Sequence, residues 1–231
     1  MAPIKLHGDF LSQPVRAVGL MLKANSIDFD FVSVPLVPVR TTRTEEYAAV
    51  NPFKTVPTLE VEGLMNICES SAALQYLAEL EGIPEHWYPR SGKGRALVNT
   101  YLAWHGPSMR KNASGYFVTS FVGPAFFNLT FTEDQVKEAR VGFEAMLDQL
   151  ENIWLRETSY LAGNDITIAD LQCVTELNQV GTTGYDMVKN RPKLAGWIQR
   201  VEAKLQPHFD AMCKEPFGKL EEAFKKFNEA K

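Results

Sequence analysis

Apolar and polar positions change their period about a third of the way along this chain. In the first eighty residues strand and helix patterns alternate. The stretch "PIKLH" (3–7) reads as a strand, and Val15, Val18 and Leu22 are spaced to share one face of a helix. "IDFDFVSV" (27–34) alternates as a half-buried strand does, and "TTRTEEYAAV" (41–50) reads as a short helix with Thr42 three residues before Glu45. "TLEV" and "LMNIC" then form short strands around the Glu62-Gly63 turn, and "SSAALQYLAEL" is a helix opened by Ser70. The predicted order over residues 1–81 is β-α-β-α-β-β-α.

The polar stretch "EGIPEHWYPRSGKG" (81–94) ends this alternation, and residues 82–94 are taken as a linker to an all-helical domain, 95–231. There a long helix runs from about Arg95 toward Tyr116, and Gly106-Pro107 must kink or divide it. A second follows "FTEDQV", with Thr132 and Gln135 as a capping box and Val136, Phe143, Met146, Leu147, Leu150 and Trp154 as its apolar stripe. In "DITIADLQ" (165–172), Thr167 and Asp170 can cap each other reciprocally, while Ile166 and Leu171 occupy the positions of a hydrophobic staple. "RPKLAGWIQRVEAKL" (191–205) starts a helix with Pro192 in its first turn. The tail places Phe217, Leu220, Phe224 and Phe227 on one face, as core, a subunit contact or a pocket mouth.

Composition narrows the function. With 231 residues the chain can bury a substantial core, and a net charge of −4 disfavours nucleic acid or an anionic membrane as partner. No signal-like or 18-residue apolar stretch occurs, so a cytoplasmic location is expected. Cys68, Cys173 and Cys213 are scattered without a C-x-x-C pair, which excludes a disulfide framework and a thiolate zinc site. His7, His86, His105 and His208 lack ligand spacing, so no metal is expected.

"DFLSQPVRA" (9–17) puts Ser12 between the first strand and the first helix, directly before Gln13-Pro14. A serine there is a natural N-cap. Its hydroxyl also stands at the positive end of the helix, where it can donate to an anion.

The β-α-β-α-β-β-α order followed by helices, together with "NPFKTVPTL" (51–59) and Glu69-Ser70, resembles the cytosolic glutathione transferases. "LSQPVRA", "HWYP", "YLAWH" (101–105), "TIADL" (167–171) and "RPKLAGWIQRVEA" (191–203) are similar to the theta class in particular. The resemblance covers nearly the whole chain. It implies a thioredoxin-like, glutathione-binding N-terminal domain, an all-helical domain that shapes a pocket for a small hydrophobic electrophile, and a homodimer.

It also implies roles for particular residues. Ser12 would donate to the glutathione sulfur and favour the thiolate over a thiol whose ordinary pKa is about 8.5. The Val56-Pro57 bond is a candidate cis peptide, leaving the Val56 backbone to pair with the cysteinyl unit like an added strand. Ser70, at a helix start, would take the γ-glutamyl carboxylate and Glu69 the α-ammonium. Where theta-like members often have histidine and lysine for the glycyl carboxylate, this chain has Thr42-Arg43, with Lys54 and Thr55 as further candidates. Phe10, Trp104, Met109 and Phe117 have the character of an apolar pocket or of plain core, and Arg110 could stabilise a departing anion. A thioredoxin-like disulfide exchange is disfavoured, because no cysteine stands at the first helix start. A non-catalytic relative of the same fold, and a peroxidase or dehalogenase using the same activated thiol, remain as alternatives.

Overall fold

The first strand, β1 (Ile4–Gly8), and the helix after it, α1 (Gln13–Ala24), pack so closely that a Cβ at Gly8 would stand 2.7 Å from both methyls of Val15. The computed structural model describes residues 3–230. Strand β2 (Asp30–Ser33) lies parallel to β1, with Leu6 opposite Phe31, so α1 is the crossover that a parallel pair needs. Strand β3 (Thr58–Val61) pairs antiparallel on the other side of β1, with Leu6 opposite Leu59, and the sheet order is β2-β1-β3. Helices α2 (Glu45–Val50) and α3 (Ser70–Ala78) complete this thioredoxin-like part. Val15, Val18 and Leu22 are fully buried, as their spacing predicts.

Two sequence expectations are corrected here. "LMNIC" does not form a full strand: Ile67 alone pairs with Leu59, through two backbone hydrogen bonds of 2.9 Å. Gly63 turns the chain at φ +78°, Leu64 and Met65 stay exposed, and the Asn66 amide donates to the Val50 carbonyl at 3.0 Å, so little extended chain remains before α3 begins. Thr42 does not cap the next helix. Residues Thr41–Arg43 form one 3₁₀ turn, and Thr44 caps α2 by accepting from the Tyr47 N–H at 3.2 Å. Thr44 is in the extended conformation that an N-cap requires and is followed by two acids, Glu45 and Glu46, which suit a helix start.

The remainder of the chain is helical. Helix α4 (Gly92–Trp104) begins three residues earlier than its apolar pattern predicts, because the Ser91 hydroxyl accepts from the Gly94 N–H. The Gly106-Pro107 pair neither breaks nor ends the rod; residues His105–Arg110 widen into a π-helical stretch that absorbs a proline unable to donate. The rod continues through α5 (Lys111–Phe117), a second π stretch (Val118–Val122) and α6 (Gly123–Phe127), and ends at left-handed Asn128.

Helix α7 (Glu133–Gln149) opens on the Thr132–Gln135 capping box. Helix α8 (Ile168–Gly181) opens on the Thr167–Asp170 box, and Ile166 and Leu171 are both buried. Asp170 also accepts from the Leu161 N–H at 3.0 Å and the Trp197 indole at 2.8 Å, which ties α8 to α9 (Pro192–Lys204). α8 is buried along almost its whole length, with α1 packed on it. The last helix, α10 (His208–Glu229), starts well before the aromatic tail, and its Phe224 meets Phe121 edge-on at 5.0 Å. Within the described residues no helix is long and apolar enough to cross a membrane.

Candidate functional site

A cavity of about 340 Å³ opens where the start of α1, the segments 36–43 and 54–56, and the helices α5, α6, α8 and α10 converge. Its walls differ in character. Leu36, Val37, Phe117, Val122, Phe126 and Leu220 make an apolar side. Arg40, Arg43, Lys54 and Arg110 also line it, and no Asp or Glu among the described residues does. Arg40 lies 3.9 Å from the ring centre of Phe127 and so closes the gap between the two walls.

Ser12 stands at the N-cap of α1, 7 % exposed, and lines this cavity. Its backbone does what a cap's backbone does: the Ser12 carbonyl accepts from Arg16 N–H at 3.1 Å and its own N–H donates to the Asp9 carbonyl at 2.8 Å. Its side chain makes no capping hydrogen bond. Of the two uses that the sequence leaves open, the hydroxyl is therefore not committed to capping and remains available to a group in the cavity. Asp9 fixes the approach to it, accepting from the Leu11 N–H at 2.9 Å and the Leu36 N–H at 3.0 Å.

The segment that carries Lys54, Thr55 and Val56 is held from below. Asn51, fully buried, donates from Nδ2 to the Thr55 carbonyl at 2.8 Å and to the Thr58 hydroxyl at 3.0 Å, and its Oδ1 accepts from the Phe53 N–H at 2.9 Å. The Tyr47 hydroxyl donates to the same Thr55 carbonyl at 2.7 Å. Lys54 adopts a left-handed φ of +56° and reaches Glu45 at 3.5 Å, and the Val56-Pro57 peptide is cis. Among the described residues no hydrogen bond uses the Val56 N–H or C=O. Burial raises the Tyr47 hydroxyl pKa, which keeps it a donor.

On the helical side Arg110 forms an ion pair with Glu176 of α8, whose other carboxylate oxygen accepts from the Ser114 hydroxyl at 2.9 Å. The Gln13 amide donates to that hydroxyl at 3.2 Å and so joins the start of α1 to the pair. Ser114, Gln13 and Gln179 are site residues that the sequence patterns do not mark as such. For Gln179 the sequence does carry a signal, polar residues inside the otherwise apolar run "LQCVTELNQV" (171–180), which a buried helix keeps only when they are bonded; Gln13 and Ser114 carry none.

Ser12, Thr42, Arg43, Lys54, Thr55, Val56, Arg110 and Phe117 thus line one cavity. Pro57 is buried beside it. Phe10, Trp104 and Met109 are not brought to its lining: Phe10 stacks on Phe31 at 4.3 Å along a neighbouring cleft, Trp104 packs with Tyr101 and Trp154, and Met109 is wholly buried core. Glu69 and Ser70 lie outside the lining, at the start of α3, where the Ser70 hydroxyl accepts from the Gln172 amide at 3.2 Å. Burial pushes the Cys68 thiol up, away from a reactive thiolate. No group of three His, Cys, Asp or Glu side chains among the described residues is placed to hold a metal ion.

Two family profiles match the chain, "Glutathione S-transferase, N-terminal domain" over residues 13–80 and "Glutathione S-transferase, C-terminal domain" over 110–204. Mouse glutathione S-transferase theta-3 is 34 % identical over 87 % of this chain and 83 % of its own length. Among solved structures, human glutathione transferase theta-2 in complex with glutathione superposes with a TM-score of 0.89 at 33 % identity, over 96 % of this chain and 91 % of that one. A human theta-class enzyme bound to the glutathione conjugate of 1-menaphthyl sulfate gives 0.89 at 32 %, over 99 % and 91 %.

Proposed function

The chain belongs to the glutathione S-transferase family, and on that premise we propose that it binds glutathione in the cavity beside Ser12, holds its sulfur as the thiolate and transfers it to small apolar electrophiles. The observation that carries this reading is the Ser12 hydroxyl, which opens into the cavity from the N-terminus of α1 without a capping bond. A hydroxyl donating to a thiolate makes a charge-assisted hydrogen bond, and each tenfold gain in thiolate corresponds to about 1.4 kcal/mol. Ser12 does not itself lose a proton; it is a donor to the nucleophile.

The rest of the tripeptide follows the walls. The unpaired Val56 N–H and C=O suit an extended cysteinyl unit as an added strand. Arg43, Thr42, Lys54 and Thr55 surround the place for the glycyl carboxylate, and their positive charge suits a ligand with net negative charge. Ser70 and Glu69, at the start of the nine-residue α3, receive the γ-glutamyl end. The electrophile lies against Phe117, Val122 and Leu220, within reach of Arg110 for a departing anion. Phe53 and Met65, close in sequence to Val50 and Asn66, which are hydrogen-bonded to each other, are large apolar side chains left exposed, and this supports a homodimer. Three cysteines without disulfides suit a cytoplasmic protein.

The test is an ultraviolet difference titration of bound glutathione between about pH 5 and 9, for the wild type and Ser12→Ala. A thiol pKa lowered by about one unit or more in the wild type and restored in the variant is the expected result. An unshifted thiol in the wild type would refute the reading.

A further inference from the structure

One turn beyond Ser12, Arg16 is completely buried. Its Nη1 donates to the Phe10 carbonyl at 2.6 Å, and its Nη2 to the Gln179 amide oxygen at 2.6 Å and the Thr175 carbonyl at 3.3 Å. Nε has no partner, and it is the one such buried side-chain nitrogen or oxygen among the described residues. The guanidinium lies 4.9 Å from the ring centre of Phe217.

Every acceptor on this guanidinium is neutral. The ionisable groups around it are Asp9 before α1, Glu176 on α8 and Cys213 on α10. Neither carboxylate is hydrogen-bonded to Arg16: Asp9 accepts from the Leu11 and Leu36 N–H groups and Glu176 from Arg110 and Ser114, so both act on the guanidinium only at longer range. Burial pushes the Cys213 thiol up to about 11, so it carries no charge at neutral pH. Desolvation lowers Arg16 to about 10, which leaves it protonated. A buried cation with no bonded anion is expensive, and a fold that needed only a clamp between α1, α8 and α10 could use neutral groups.

The cation does have a route to the cavity. Gln179, which accepts from Arg16, also lines the cavity wall, and Phe10 is two residues before Ser12. Arg16 stands one turn after Ser12 on α1, about 6 Å along the helix axis, and Gln179 is the side chain that joins its guanidinium to the cavity wall.

We propose that Arg16 is the buried counter-charge of the glutathione thiolate, a positioning residue that acts on the sulfur through the field behind Ser12 and through the Gln179 amide it orients. The inference rests on the function proposed above and deepens it. Ser12 supplies the hydrogen bond, and Arg16 supplies the charge that the bond alone lacks. With no thiolate bound the guanidinium has no hydrogen-bonded anion, only the longer-range fields of Asp9 and Glu176; a bound thiolate adds a further anion on the cavity side.

The experiment is the same thiolate titration with the full chain, extended to Arg16→Met and Arg16→Lys, beside binding of S-methylglutathione, which has no thiol to ionise. Arg16→Met is expected to raise the bound thiol pKa by about one unit, a tenfold loss of thiolate, while S-methylglutathione binds as to the wild type. Arg16→Lys, which keeps the charge and loses the fork of hydrogen bonds, is expected to stay closer to the wild type. A folded Arg16→Met that titrates like the wild type overturns the inference. So does a loss of S-methylglutathione binding with the thiol pKa unmoved, which leaves Arg16 a clamp. Should Arg16→Met not fold, Arg16→Gln, which is neutral but keeps an amide to bond the Phe10 carbonyl and Gln179, takes its place: a raised thiol pKa supports the inference and an unchanged or lowered one overturns it. A wild type without a lowered thiol pKa removes the proposed function and this inference together, whereas a normal wild type beside an unaffected Arg16→Met removes the inference alone.

Discussion

Arg110 and Glu176 form an ion pair whose halves live in different surroundings, the guanidinium side chain 45 % exposed on the cavity wall and the carboxylate 2 % exposed within the helical domain. Removing the exposed half harms the buried one, because Glu176 is left with the Ser114 hydroxyl as its remaining donor. Arg110→Ala is expected to cost about 1–3 kcal/mol in denaturant unfolding, and adding Glu176→Gln to recover part of it. A double-mutant cycle that shows no coupling between the two positions contradicts this account.

Ser12→Ala separates catalysis from folding. Replacing a working N-cap costs about 1 kcal/mol, but the Ser12 side chain makes no capping bond. Unfolding free energy is therefore expected to stay within about 0.5 kcal/mol of the wild type, while kcat/KM falls by about 10- to 100-fold. Thermal unfolding and conjugation assays on the same preparations check both halves; a large drop in Tm would mean that the hydroxyl caps after all.

His105 makes the protein acid-sensitive. Burial, aided by the positive charge of Arg110, lowers its pKa to about 3, whereas an unfolded chain protonates histidine near its ordinary value of about 6.5. Between those values the unfolded state binds the extra proton, so stability rises with pH across that window and is lost as pH falls. From pH 7 to pH 5 the loss from this group is about 2 kcal/mol. In His105→Gln, which does not titrate, the fall in stability over the same range should be smaller by that amount, measured by urea unfolding at both pH values.

Gly8→Ala would drive a Cβ into the Val15 methyls at 2.7 Å and push β1 and α1 apart just where Ser12 joins them. A destabilisation of about 1–3 kcal/mol is expected, with a larger relative loss of activity than of stability. Trimming the obstacle in Gly8→Ala/Val15→Ala should restore activity more fully than it restores stability, since the shortened valine leaves its own void.

Asn51→Ala releases the segment 53–58 from its buried anchor, taking away the donors to Thr55 and Thr58 and the acceptor for Phe53. Calorimetric titration with S-methylglutathione should show affinity about tenfold weaker, because the Val56 backbone is no longer held for the ligand.

Much of this arrangement is legible locally. The capping boxes at Thr132 and Thr167 and the prolines in the first turns of α1 and α9 each depend on residues within a few positions of one another, whereas the alternation expected over residues 27–34 survives only as the short, largely exposed β2. That is why the helices at Glu133 and Ile168 begin where their residues predict. Thr42 misled for the same reason: Thr44 offers equal chemistry two residues on, and the hydrogen bond to Tyr47 went to the one whose backbone was extended. The aromatics Phe10 and Trp104 carry no local mark that separates a pocket from a core, and the packing of neighbouring elements sent them elsewhere.

By itself, then, the sequence determined the alternation of strand and helix before the all-helical part, the capped starts at Thr132 and Thr167 and the presence of a serine at the start of the first helix, because those depend on short-range hydrogen bonds and side-chain period. Tertiary structure decided what no local pattern encodes. It reduced the last strand to the Leu59–Ile67 bridge, spread the Gly106-Pro107 irregularity over a π stretch, left the Ser12 hydroxyl uncapped, and enclosed Arg16 between α1, α8 and α10. Each of these outcomes depends on which buried faces meet and which polar atoms are still unpaired when they do, and for Arg16 that is settled by a partner more than a hundred residues away along the chain, Gln179.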